Sequence, residues 1–250
     1  MPVMDEFREE RETIKNSSFK KKFQYFLDYY KWYVIGGAAI ILFAALLIRD
    51  MSNSKDWALF GFFINTYVEE EARDNLINEF SELIELDTEN YSVGIDDSLV
   101  IQLNSYDQVT TTSTEKIMVY MAAGDVDFMA ADATTFEQYA TSDTFFDATT
   151  ILSAEQIEKY EPYFYYVDME YVRQIDEATD NGTLEELEVK EYDHRKPEEM
   201  EDPVSIALYI DHSEKLLTAY SFIEEDFVFG VPLNTKHLDT TLQFIDFIFE

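Results

Sequence analysis

The apolar positions of the chain fall into two regimes. From Trp32 to Ile48 they run without a break, WYVIGGAAIILFAALLI, with no charge and no polar face. A helix of that composition has no side to turn toward water, unlike the striped helix of a soluble core. At about 1.5 Å rise per residue, its 17 residues reach roughly 26 Å, just under a hydrocarbon core of about 30 Å. From Trp57 onward, short apolar runs alternate with stripes of helical period. WALFGFFI (57–64) reads as a buried strand. EEEARDNLINEFSELIEL (69–86) places Leu76, Ile77, Phe80, Leu83 and Ile84 on one helical face, with acids in the first turn to suit the helix dipole. YSVGI (91–95) reads as a second strand, so the region opens strand–helix–strand, the pattern of a parallel pair with a crossover.

The alternation continues. Thr112 or Ser113 is placed to cap a helix carrying Ile117, Met118 and Met121, with Gly124 as its stop. VDFMAA (126–131) predicts a third strand and TTFEQYA a short helix. SAEQIEKY opens with Ser153 and Gln156 at capping-box spacing. PYFYYVDMEYVRQID alternates and is aromatic, and DNGT (180–183) offers a hairpin turn. The charged stretch LEELEVKEYDHRKPEEMED reads as peripheral. PVSIALYI (203–210) and DFVFGVPL (226–233) read as strands. Asn234 or Thr235 then caps a last helix carrying Leu238, Leu242, Ile245 and Phe249. The expectation is one α/β domain: a mixed sheet with flanking helices and an antiparallel insertion.

Charge orients the first regime. Seven Lys and Arg residues fall in 1–31, among them Lys20, Lys21, Lys22 and Lys31. Tyr29, Tyr30, Trp32 and Tyr33 gather where the apolar run begins, as an interfacial aromatic belt does, and Arg49 and Asp50 close it. Positive-inside logic gives a cytoplasmic segment over 1–31, a single transmembrane helix over 32–49 acting as a signal-anchor, a linker over 50–56 and an extracytoplasmic domain over 57–250 at the cell membrane. A cleaved signal peptide, with Ser52 and Ser54 near the cut, and a buried core helix are the competing readings. FKKKFQYFLDYYK reads as a juxtamembrane collar or as an interfacial helix that attracts anionic lipid.

The rest of the chain is acidic. Residues 51–250 carry 10 Lys and Arg against 45 Asp and Glu, which is 10 − 45 = −35. Such a field repels nucleic acid, so no nucleic-acid partner is expected. The absence of cysteine excludes disulfides, thiolate metal sites, a Cys nucleophile and a lipid carried on cysteine. None of H-E-x-x-H, G-x-S-x-G or a phosphate-binding loop occurs, and His194, His212 and His237 are scattered, so no catalytic residues and no cofactor are expected. EATDNGTLEELE (177–188) fits a calcium loop at Asn181, Gly182 and Glu188 but carries Glu177 and Thr179 where Asp or Asn belongs; no metal site is assigned. Ligands in open α/β sheets sit at the carboxyl ends of strands. That rule singles out Asn65, Thr66, Asp96, Asp97, Asp132, Thr134 and Asn234 as ligand-binding candidates. The same residue types serve equally as caps and turn formers.

Three stretches carry a family resemblance. AAGDVDFMAADATTFEQYATSDTFFDATTIL (122–152), DPVSIALYID, and DFVFGVPLNTKHLDTTLQFIDFIF with Thr241 ahead of Phe244 and Phe247 resemble segments of extracellular solute-binding proteins, the bilobed binding components of ABC importers. The apolar run preceded by DYYKWYVI is also similar in layout to small membrane-anchored proteins of Gram-positive bacteria that carry such a domain. The resemblance implies one periplasmic-binding-protein-like lobe, an open ledge rather than a closing cleft. It also implies a non-catalytic binding or interaction module for a small solute, a peptide or a membrane protein complex. A scaffold subunit with a degenerate ligand site is the alternative, and an extracytoplasmic hydrolase a third.

Overall fold

The computed structural model describes residues 18–53, 55–140, 144–183, 185, 187–188, 190–223 and 226–250. In the first helix it leaves aside the side chains of residues 21–22, 24–30, 48 and 50–53. The basic leader up to residue 17, Ser54, and positions 184 and 186 of the calcium-like segment lie outside the described residues. Two compact units divide between Ser54 and Lys55, inside the expected linker.

The first unit is helix α1 (Phe19–Asn53), which begins before the apolar run and continues past it. Its apolar side chains between Trp32 and Leu47 are exposed: Trp32 is 72% exposed, Ile40 71% and Phe43 63%. Among the described residues, no helix is long and apolar enough to cross a membrane. The expected span 32–49 is helical throughout, but its described apolar side chains end at Leu47, and at about 1.5 Å per residue that is roughly 24 Å.

The second unit is built on strands β1 (Asp56–Ile64), β3 (Tyr91–Leu99), β4 (Phe128–Asp132), β5 (Phe164–Asp168), β6 (Pro203–Tyr209) and β8 (Phe227–Gly230), in the order β3-β1-β4-β8-β6-β5. β1 is parallel to β3 and β4; β4–β8, β8–β6 and β6–β5 are antiparallel. A separate ribbon pairs β2 (Thr66–Val68) with β7 (Tyr220–Phe222). The strands alternate between two apolar faces because successive side chains point to opposite sides of a sheet. Phe63, Phe128 and Phe229 meet Leu76 and Phe80 of α2 (Glu70–Leu83) and Phe244 and Phe247 of α9 (Leu238–Ile248). Phe62, Met129, Val228 and Tyr165 meet Ile117 of α3 (Gln108–Ala123) and Phe136 of α4 (Ala133–Glu137) on the other side. The result is a mixed six-stranded α/β sheet covered by helices on both faces.

Local chemistry sets the helix ends. Glu69 accepts from Ala72 N at the start of α2. Helices α5 (Ala148–Ile151) and α6 (Ala154–Tyr160) follow, and α6 has the expected capping box between Ser153 and Gln156. α3 stops at Gly124 (φ +64°), also as expected, but its cap is Asp107, not Thr112 or Ser113. Asp107 accepts from Val109 N and Thr110 N, while Ser113 turns inward and accepts from Val100 N. The aromatic stretch after Pro162 splits into β5 and helix α7 (Met169–Asn181), so Asn181-Gly182 ends a helix rather than turning a hairpin; Gly182 has φ +69°. α8 (Glu214–Ala219) precedes β7. α9 begins at His237 without a side-chain cap, so neither Asn234 nor Thr235 caps it. The expected antiparallel insertion is part of the main sheet.

Gly61 lies in β1 where an added Cβ would stand 2.4 Å from the Phe128 ring. That ring is held between Phe229 and Phe244, at 4.7 and 5.3 Å between centroids. Gly61→Ala is expected to destabilise the fold by about 1–3 kcal/mol in denaturant titration. Gly182→Ala meets no atom within 4 Å and has only its left-handed backbone to strain, so it should cost about 1 kcal/mol.

Candidate functional site

The seven candidate residues separate into four places. Asn65 follows β1 in the left-handed region (φ +58°) and is buried. Its Oδ1 accepts from Ile101 N at 2.8 Å, and its Nδ2 lies 3.0 Å from Ile101 O, 2.8 Å from Asp132 Oδ2 and 3.2 Å from Thr135 Oγ1. Asp132 caps α4 by accepting from Thr135 N at 2.8 Å. Asn65 and Asp132 therefore tie the carboxyl ends of β1 and β4 to the segment after β3, and each of their side-chain polar atoms is hydrogen-bonded within the protein. Thr66 beside them is buried with its hydroxyl unpartnered.

Asp96 and Asp97 leave β3 on opposite faces. Asp96 pairs with Lys116 of α3, and Asp97 with Arg73 of α2 at 3.1 Å. Burial raises the Asp96 carboxyl, but hydrogen bonds from Lys116 and Ser98 outweigh it and leave the group below its ordinary value. Tyr220 lies close enough to feel the Asp97 carboxylate, yet its buried hydroxyl makes no hydrogen bond of good geometry. Asn234 is at the opposite end of the sheet, donating to Met121 O at the end of α3. Beside it, buried Asp127 accepts from Phe60 N at 2.8 Å, from Thr235 Oγ1 at 2.6 Å and from His237 Nδ1 at 3.0 Å. A carboxylate only accepts, so that nitrogen of His237 carries a proton.

The fourth place is a groove. Thr134, Glu137 and Gln138 form one side, Tyr171 and Ile175 of α7 another, and residues 190–194 the third, enclosing about 570 Å³. Asp168 holds the third wall. It ends β5 and accepts from Tyr192 Oη at 2.7 Å and from the backbone amides of Glu170, Glu201 and Asp202. Burial pushes the Tyr192 phenol up to about 12, helped by Asp168. Tyr171 stands edge-on to Tyr192 at 6.0 Å and accepts from Lys190 N. His194 stacks on buried Tyr165 at 4.4 Å, bonds Tyr166 O through Nδ1 at 2.7 Å, and turns Nε2 toward Glu137 at 3.9 Å. Because a carbonyl only accepts, Nδ1 is the protonated nitrogen.

Of the candidates, only Thr134 lines this groove; Asn65, Thr66 and Asp132 lie together, and Asp96, Asp97 and Asn234 apart. Asp168 was missed although the strand-end rule that selects Asp132 applies equally to FYYVD followed by a helix. The tyrosines and His194 carry no sequence signal, since α7 and the 190–194 segment meet only through the fold. Among the described residues, no group of three His, Cys, Asp or Glu side chains is placed to hold a metal.

Asp168→Asn should release the 190–202 segment and cost about 2–3 kcal/mol at pH 7, because buried amides lose a charged acceptor. Burial raises the Asp168 carboxyl, but hydrogen bonds led by Tyr192 outweigh it and hold the folded value below the ordinary one. Its contribution is thus complete above the unfolded value of about 3.9 and is lost as pH falls through the folded value. The stability gap between wild type and variant should shrink below about pH 4 in denaturant titrations. No protein-family profile, curated protein or solved structure matches the chain.

Proposed function

We propose that this chain is a single-pass membrane protein whose acidic α/β unit is an extracytoplasmic binding module, resembling one lobe of a solute-binding protein and working by reversible binding without covalent chemistry. The observation that carries the binding reading is the groove between α4, α7 and residues 190–194. Its volume of about 570 Å³ is within the range of small-ligand sites. Tyr171, Tyr192 and Ile175 supply apolar wall, while Glu137, Gln138, Glu191 and Lys190 supply hydrogen-bonding edges, a mixture suited to a polar solute or a short peptide. The buried carboxylates elsewhere are spent on backbone amides and neighbouring side chains, which favours binding over catalysis.

The membrane reading rests on α1. Aliphatic and aromatic side chains exposed on every face of a helix need an apolar surrounding. Ile48 extends the run, Arg49 can reach a headgroup layer with its long stem, and Trp32 and Tyr33 suit the opposite interface. Slight local thinning of the bilayer accommodates a span of this length. The lysines before the run favour a cytoplasmic N-terminus.

A specific observation favours the scaffold reading as second: Asn65 and Asp132, which stand where sheet ligands usually bind, are hydrogen-bonded within the protein itself. Thermal unfolding of the full chain in detergent micelles, titrated with sugars, amino acids and short peptides, separates the two. Binding predicts that one class raises Tm with dose, by about 2.7 kcal/mol of stabilisation at 100 times its Kd. Thr134→Arg, an exposed position on the groove wall, should abolish that rise and leave the unliganded Tm unchanged. Cooperative melting with no shift from any class would remove the binding reading and leave the scaffold.

A further inference from the structure

The sheet ends differently on its two sides. At β5, the 190–194 segment covers the outer edge: Tyr166 N donates to His194 O at 3.0 Å. At β3, β1 pairs with the inner side, and among the described residues no strand or segment pairs with the outer side. The ladder runs from Tyr91 to Asp96, with one register shift between Ser92 and Val93 where β1 carries an extra residue, and shifts again before Leu99. Six residues at about 3.3 Å each give roughly 20 Å of open edge.

A second feature lies beside that edge. Between the end of β3 and α3 is a groove of about 390 Å³, with Leu99 on the strand side and Val109, Thr112 and Lys116 on the helix side. Val109 is 58% exposed there. Lys116 reaches across to Asp96, which fixes the spacing between helix and strand. An open strand edge running beside a helix-walled groove suits an added strand: main-chain groups extend the ladder while alternate side chains enter the groove.

Charge selects the occupant. Arg73 and Lys116, the cations paired with β3, are outnumbered by Asp74, Asp96 and Asp97, and residues 51–250 carry a net charge of 10 − 45 = −35. A second copy would bring an equally acidic surface to this edge, and facing surfaces of like charge repel. We infer that the outer edge of β3, with the groove walled by Val109, Thr112 and Lys116, takes an extended basic–apolar segment of a partner protein as a seventh strand. This docking surface is separate from the groove at α7, and neither depends on the other.

The test uses the full chain in detergent micelles and a fluorescent ten-residue peptide alternating lysine and valine. Two comparison peptides are the glutamate–valine equivalent and the lysine–valine peptide N-methylated at alternate residues, which removes backbone donors on one edge. Anisotropy titration should show the lysine–valine peptide binding at least tenfold more tightly than either. Amide exchange over residues 91–96 should slow on binding, and Thr112→Arg should weaken binding at least tenfold. Equal binding of the N-methylated peptide would show diffuse polyelectrolyte attraction and overturn the proposal, as would binding without protection of 91–96. Concentration-dependent protection of 91–96 without peptide would make a second copy the occupant and overturn it too.

Discussion

Both faces of the central strands must be kept from water, and the rest of the second unit follows from that. β4 and β8 are buried along their whole length, and β1 from Leu59 onward. A sheet apolar on both sides needs helices on both sides, so the chain must repeatedly leave a strand end and turn over the sheet. Each exit exposes amide groups that need acceptors in a place water reaches poorly. The protein meets that need with carboxylates and amides: Asp132 at the end of β4, Asp168 at the end of β5, Asn65 after β1, and Asp127 just before β4. The polar residues that look most like a binding site at the strand ends are thereby the ones that hold the layers together.

That division of labour moves the available chemistry outward. Once the strand-end residues are satisfied, the side chains still open to a ligand are those on the helices and on the segment closing the β5 edge. Asp168 links the two roles. By gathering the amides of Glu201 and Asp202 and the Tyr192 hydroxyl, it fixes the wall against which Tyr171 and His194 stand. The groove is therefore only as well formed as this one buried carboxylate makes it. The wider acidity acts at longer range: it disfavours self-association and nucleic acid, and favours cationic or neutral partners.

Much of the fold was legible because strands and helices here obey their simple periods. DWALFGFFI, the striped helix from Glu70 and the capping box at Ser153 stand where the pattern places them. Failures came where two signals compete. In FYYVDMEYVRQID, aromatic alternation suggests a long strand, but Asp168 can cap a helix, and the helix wins after five residues of strand. Asn-Gly is a hairpin signal only when strands flank it; behind a helix the same glycine serves as the left-handed stop. The site was less legible than the fold. Thr134 alone reached the groove, because strand-end logic finds residues near a sheet and has no means of pairing α7 with a segment some twenty residues further on.

The central claim is that α1 anchors the chain with the α/β unit outside. The most direct measurement is alkaline carbonate extraction of membranes carrying the full chain, with protease shaving of intact cells and detection at both termini. The account predicts a full-length chain in the membrane pellet, loss of residues 57–250 to external protease, and a protected N-terminus. Release into the carbonate supernatant, a chain shortened just after the apolar run, or an N-terminus cut from outside would contradict it.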